Sequence, residues 1–182
     1  GVLIQEHGAR EIFDDTGKAY IDAMASLWYC QVGHGRREII DAISRQLSTL
    51  DVYNTFDPFT NDRAARAAAM IAERSPMPDG RVFLSCSGSE AVDTALKIAR
   101  LVQQRRGPGD RQIIVRRTRG YHGTNFGGTS AQGIAPNRDG WGDLVPHFVE
   151  VDPDDIEAMA TVFADHGERI AAVITEPVQG AG

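Results

Sequence analysis

Arg81-Val82-Phe83-Leu84-Ser85-Cys86-Ser87-Gly88-Ser89-Glu90-Ala91 opens the stretch that decides the fold. Val82-Phe83-Leu84 reads as a short apolar strand, and Ser85 to Ser89 as a turn of small residues. A long helix is expected from about 89 to 105, with Ala91, Ala95, Leu96, Ala99 and Val102 facing inward. A strand that turns tightly into a helix leaves the first N–H groups of the helix free. The helix dipole adds partial positive charge there, so a phosphate suits the position. The residues match neither a Walker loop nor a GxGxxG fingerprint, and a well-capped helix alone has the same look.

Downstream, strands are expected at Gln112–Val115, His147–Val151 and Ile170–Ile174. Asp152-Pro153-Asp154-Asp155 reads as the cap of an intervening helix with proline at its first position. Strand and helix alternate, which predicts an α/β domain with a mostly parallel sheet. Ligands of such sheets bind at the carboxyl ends of the strands. Upstream, residues 36–50 predict a helix whose apolar face carries Ile39, Ile40, Ile43, Leu47 and Leu50. Residues 61–74 predict an alanine-rich second helix. Residues 1–22 read as short strands, with Asp15-Thr16-Gly17-Lys18 as the turn between Glu11–Phe13 and Ala19–Ile21.

A net charge of -6 argues against nucleic acid or an anionic membrane as partner. No apolar run approaches the length of a membrane span, and no signal peptide opens the chain. Cys30 and Cys86 form no ligand cluster and read as reduced, mostly buried thiols of a cytoplasmic protein. The five histidines lack metal-ligand spacing, so no metal site is expected. Of the 19 basic residues only Lys18 and Lys97 are lysines.

Two further segments fall at predicted strand ends. Gly120-Tyr121-His122-Gly123 is a tight turn that presents an aromatic ring, suited to stacking on a planar ligand or to packing on the core. Glu176-Pro177-Val178-Gln179-Gly180 brings a carboxylate to the same edge, or is an ordinary strand-end loop. Arg116, Arg117 and Arg119 read as a solvated or interface cluster rather than a carboxylate site.

The motifs Ser87-Gly88-Ser89-Glu90-Ala91, Gly120-Tyr121-His122-Gly123 and Glu176-Pro177-Val178-Gln179-Gly180 resemble, in sequence and order, the class III aminotransferases. Asp15-x-Gly17-Lys18-x-Tyr20-Ile21-Asp22 and Val32-Gly33-His34-Gly35 are similar to the amino-terminal segment of that family. Tyr121 through Gly128, Gly133-Ile134, Asn137-Arg138 and Ser26-Leu27-Trp28 look like its omega-amino-acid type, closest to the beta-alanine–pyruvate branch.

The resemblance implies a fold type I, pyridoxal phosphate (PLP)-dependent transferase. Residues 1–60 would be the amino-terminal segment of the small domain with its linker, and 61–182 the beginning of the PLP-binding large domain. The implied reaction moves an amino group from an omega-amino acid or amine to a keto acid such as pyruvate. Ser87, Gly88 and Ser89 would hold the cofactor phosphate, Tyr121 would stack on the ring, and His122 would support that loop. Glu176 would lie near the phenolic edge of the ring, and Trp28 would line the substrate pocket. Glu90 and Asp93 would serve their helix or the surroundings of the site.

Such enzymes hold PLP as a Schiff base on a lysine, which matches neither Lys18 nor Lys97. That lysine is expected beyond Gly182, so no catalytic residue is assigned here and these 182 residues alone are expected to be inactive. A homodimer is implied, with Tyr53-Asn54-Thr55-Phe56 reaching toward the neighbour. A PLP-dependent aminomutase of the same family remains open. So does a non-catalytic phosphate-ligand domain, if these residues are the whole protein.

Overall fold

The computed structural model describes residues 1–107 and 110–182. It falls into two compact units, 1–67 and 68–182, divided within a helix.

The first unit opens with an antiparallel meander of β1 (Ile4–His7), β2 (Glu11–Asp14) and β3 (Ala19–Ile21). A polar side chain shapes its last turn. The Asp14 carboxylate accepts the amides of Thr16 and Lys18 and the hydroxyls of Thr16 and Tyr20. These donors, the Thr16 hydroxyl foremost, hold the Asp14 carboxyl at about 2. Asp22 acts in the same way in the next loop. It accepts the Ser26 amide at 2.9 Å and pairs with His34 Nε2 at 2.7 Å. That anchors a turn in which Ala25, Ser26 and Leu27 all have positive φ, a conformation L-residues resist. α1 (Arg37–Thr49) follows, and α2 (Asp62–Arg74) carries the unit boundary.

In the second unit, α3 (Gly88–Arg106), β4 (Ile113–Arg117), α4 (Phe126–Ala131), β5 (Phe148–Val151), α5 (Ile156–His166) and β6 (Ile170–Val173) build a parallel sheet of order β5-β4-β6. β4 lies between its neighbours, and its first three residues, Ile113, Ile114 and Val115, are apolar on both faces, as a covered parallel strand requires. Ile114 and Val115 are fully buried, and Val151 and Ile170 close the core beside them.

The structure corrects several expectations. Residues 82–84 form no strand, and Phe83 is 68% exposed. A strand needs a ladder, and residues 82–84 pair with no strand among the described residues. On α3 the covered side runs through Ser89, Val92, Asp93, Leu96, Ala99, Val102 and Gln103, so Leu96, Ala99 and Val102 lie on it as expected while Ala91 and Ala95 are exposed. Toward its amino end the covered side turns to the polar Ser89 and Asp93, which meet the loop 124–128. Asp155, not Asp152, caps α5 by accepting the Ala158 amide, which leaves Pro153 outside the helix. The Asp152 carboxylate instead binds the Asp154 amide in the preceding turn. Cys86 is exposed and Cys30 half-buried, both free, so neither is a buried core thiol.

Candidate functional site

The amino end of α3 is built by its own sequence. Ser87 is the N-cap, and its hydroxyl accepts the Glu90 amide. Glu90 reaches back to accept the Cys86 amide at 2.9 Å, a variant of the capping box. Glu90 is thereby committed to its own helix. The amides of Gly88 and Ser89 have no acceptor among the described residues, as the first turn of a helix requires. Space around Gly88 is open: a Cβ there would meet nothing within 4 Å.

β4 ends in a sharp turn with Arg119 at φ 63°, stitched by the Arg119 amide to the Gly133 carbonyl and the Gly133 amide to the Gly120 carbonyl. The chain then runs through Tyr121, His122 and Gly123 along the amino end of α3. The Ser89 hydroxyl accepts the Thr124 amide at 3.0 Å. Gly123, at φ 101°, packs so closely that a Cβ would lie 2.8 Å from Ser89 Oγ. Only glycine meets both demands. The Ser89 and Thr124 hydroxyls also lie 3.3 Å apart, so Ser89 meets both the amide and the hydroxyl of Thr124.

From the end of β6, Glu176 Oε2 accepts the Tyr121 amide at 2.8 Å, which fixes the backbone from which the half-buried Tyr121 ring departs. Gln179 secures the same loop through the Thr118 carbonyl at 2.6 Å. His122 is 6% exposed, and its Nε2 has no hydrogen-bond partner among the described residues. Burial pushes its pKa below the usual imidazole value. The Glu176 carboxylate opposes that shift and the Arg116 charge adds to it.

Of the residues singled out in the sequence, Gly88, Ser89, Tyr121, His122 and Glu176 are gathered in one place, joined by the Ser89–Thr124 and Glu176–Tyr121 bonds. Ser87 is adjacent, its hydroxyl engaged in capping. Trp28 lies in the first unit, 70% exposed, just after the positive-φ turn. Lys18 is also in the first unit, its Nζ 4.8 Å over the Tyr20 ring. Lys97 lines a cavity of about 240 Å³ beside α3 with Asp93, Arg100 and Phe126.

Of the three arginines, Arg116 is no solvated residue, while Arg119 is exposed as the sequence suggests. Buried, it donates to the Ser130 and Gln132 carbonyls and pairs with Glu150 at 3.0 Å. Arg117 binds Thr175 and the Pro153 carbonyl, and Arg119 pairs with Asp154. Among the described residues no group of side chains has the makings of a metal site.

Two free helix amides, a serine hydroxyl and an aromatic loop held beside them at the carboxyl end of a parallel sheet suit a planar ligand carrying a phosphate. The family profile described as aminotransferase class-III matches residues 2–182. The chain belongs to the class III aminotransferases. It is 34% identical to the beta-alanine–pyruvate aminotransferase of Pseudomonas aeruginosa, over 92% of this chain and 41% of that protein. A transaminase from the marine bacterium Virgibacillus superposes with a TM-score of 0.91 at 33% identity, over 98% of this chain and 42% of that one. An omega-transaminase of Pseudomonas jessenii, solved in complex with PMP, gives 0.90 at 29% identity over 99% and 44%. The chain thus spans about two-fifths of the length of the relatives it matches. Within this class III aminotransferase chain, the contribution of Thr124 escaped the sequence reading, which placed Asp93 with its helix or the surroundings of the site without naming its bond to Gly128. The signal for both was the shared spacing of four, Ser89 to Asp93 and Thr124 to Gly128.

Proposed function

We propose that this chain is the portion of a PLP-dependent transaminase that cradles the cofactor, and that the protein moves an amino group from an omega-amino acid or amine to a keto acid such as pyruvate. The observation that carries the reading is the free amide pair of Gly88 and Ser89, held by hydrogen bonds beside the Tyr121 loop and Glu176. The names of its relatives support the choice of donor and acceptor. The residues fit the cofactor. Open space lies over Gly88, and the amides of Gly88 and Ser89 have no acceptor among the described residues.

In this reading the amides of Gly88 and Ser89 and the Ser89 hydroxyl hold the phosphate dianion, aided by the dipole of α3. Ser87 keeps that helix end in shape. The Tyr121 ring covers one face of the pyridine and removes its freedom to swing. Glu176 fixes the Tyr121 backbone, and His122 fills the space behind it as a neutral ring. Trp28 lines the substrate pocket. Bound there, PLP supplies an electron-withdrawing ring that stabilises the carbanion left when the substrate loses its proton. Neither Lys18 nor Lys97 is assigned the proton-transferring amine. Residues 1–60 contribute to the small domain and 61–182 to the large one.

No described helix is long and apolar enough to cross a membrane. We assign the protein to the cytoplasm, as a homodimer in which the segment 53–56 approaches the neighbouring site. Light scattering tests the dimer, and a fully active monomer would refute it. The activity is tested by incubating the full-length protein and PLP with beta-alanine or a primary amine and pyruvate. Alanine should form, and amine addition should change the visible spectrum of the cofactor. Bound PLP with no amino transfer to any keto acid would refute the reading.

A further inference from the structure

α4 is a short helix whose own N-cap residue, Asn125, makes no capping bond. Its third residue, Gly128, nonetheless has its amide satisfied. The acceptor is Asp93 Oδ1 at 2.8 Å, from the middle of α3. Asp93 therefore does in trans what an N-cap does in cis, and it brings negative charge to the positive end of α4. Ser89 and Asp93 are four apart on α3 and share one face. They accept the amides of Thr124 and Gly128, also four apart. One face of α3 thus clamps both ends of the segment 124–128.

The fit at this clamp is close. A Cβ on Gly127 would fall 2.6 Å from Asp93 Oδ1, and one on Gly128 would collide with the His122 carbonyl. The carboxylate and the loop have been brought together as far as backbone without side chains allows. Asp93 is assigned no contact with the phosphate or the pyridine ring.

We propose that Asp93 is a positioning residue of the cofactor site. It locks the Tyr121 loop to the helix whose first turn holds the phosphate. The inference rests on the PLP reading and adds to it the device that keeps phosphate anchor and stacking ring in register. With the Asp93–Gly128 bond broken, Ser89 alone joins the two. The segment 124–128 then pivots about Thr124, and the Tyr121 loop is held from the far side by Glu176, its ring in a looser register with the amides of Gly88 and Ser89.

The test uses the full-length protein with Asp93→Ala and Asp93→Asn. Hydrogen exchange without cofactor reads the clamp itself. Amides in 123–128 should exchange faster in Asp93→Ala and be restored toward wild type in Asp93→Asn, whose side-chain oxygen still accepts. Loss of PLP, followed by absorbance after dilution, reads the consequence. Asp93→Ala should release it about tenfold faster, the scale of one lost hydrogen bond to a charged acceptor. The circular dichroism of the bound cofactor should weaken with it, and Asp93→Asn should recover most of both.

A general loss of stability would not be repaired by asparagine in the cofactor signal while thermal midpoints stay lowered. If wild type holds PLP and Asp93→Ala holds it with the same rate and dichroism, the positioning role is overturned and the PLP reading stands. If wild type holds no PLP, the reading falls and this inference falls with it. Should Asp93→Ala not fold, Gly127→Ala supplies the second variant. Its methyl pushes against Asp93 Oδ1 and should speed PLP loss in the same direction. Wild-type retention in Gly127→Ala would then overturn the role.

Discussion

The two units hold themselves together by different means. The second buries Ile113, Ile114, Val115, Val151 and Ile170 around one central strand. The first, residues 1–67, contains no fully buried residue and is shaped by carboxylates, Asp14 gathering four donors at one turn and Asp22 anchoring another with His34. The difference teaches where each kind of information sits. Apolar burial fixes a scaffold, here the parallel sheet whose carboxyl ends carry the candidate site. Polar turn networks fix the course of loops and leave apolar side chains such as Trp28 outward.

The contrast can be broken most forcefully in the core. Ile114→Ala should cost about 3–4 kcal/mol, the transfer loss plus a cavity that a close-packed ladder cannot refill. Ile12→Ala, at a half-buried position of β2, should cost about half as much. Equal costs in chemical denaturation would mean that the units do not differ in this way. Gly128→Ala comes next, because its methyl would overlap the His122 carbonyl. Overpacking of this kind typically costs about 1–3 kcal/mol, and the thermal midpoint should fall accordingly. An unchanged midpoint would show that the loop yields easily.

A smaller effect is expected at the ring. Tyr121→Ala should weaken PLP about fivefold, on the order of 1 kcal/mol, and Tyr121→Phe much less. Equal losses in dissociation measurements would point to the hydroxyl instead of the stack.

The finest distinction is in pH. His122 has its pKa lowered by burial, so the folded second unit binds its proton less readily than the unfolded chain. Its stabilising effect is full above the ordinary imidazole value of 6.5 and declines as pH falls below it. Asp22 is lowered chiefly by its hydrogen bond to His34, so its contribution is full above the ordinary carboxylate value of 3.8 and is lost further into acid. Thermal midpoints between pH 7 and 5 should therefore fall modestly in wild type and flatten in His122→Gln, while Asp22→Asn alters the profile only below about pH 4. Identical profiles for wild type and His122→Gln would remove His122 from the account.

Much of the scaffold was legible. Period and composition give the helices α1, α2 and α3 and the strands β4, β5 and β6 to within a residue or two at most ends, because each carries its own apolar pattern. The failures share a cause. Whether Val82-Phe83-Leu84 becomes a strand depends on a partner strand, which three residues cannot announce. Which stripe of α3 is covered depends on the loop that crosses it. α4, a run of Phe126-Gly127-Gly128-Thr129-Ser130-Ala131, has almost no intrinsic helix signal and is capped from another helix. The site motifs were legible because each carries a local reason, a capped helix end, a glycine-flanked aromatic, a strand-end carboxylate. The bonds that join them, Ser89 to Thr124 and Glu176 to Tyr121, span 35 and 55 residues and exist only in the fold.

The central claim is that the first turn of α3 and the Tyr121 loop form one cradle for a phosphorylated ring. A crystal structure of the full-length protein with PLP tests it most directly. The phosphate should lie within hydrogen-bond reach, about 3 Å, of the Gly88 and Ser89 amides, with the ring against Tyr121. A phosphate held elsewhere, with those two amides bound only to water, would contradict it.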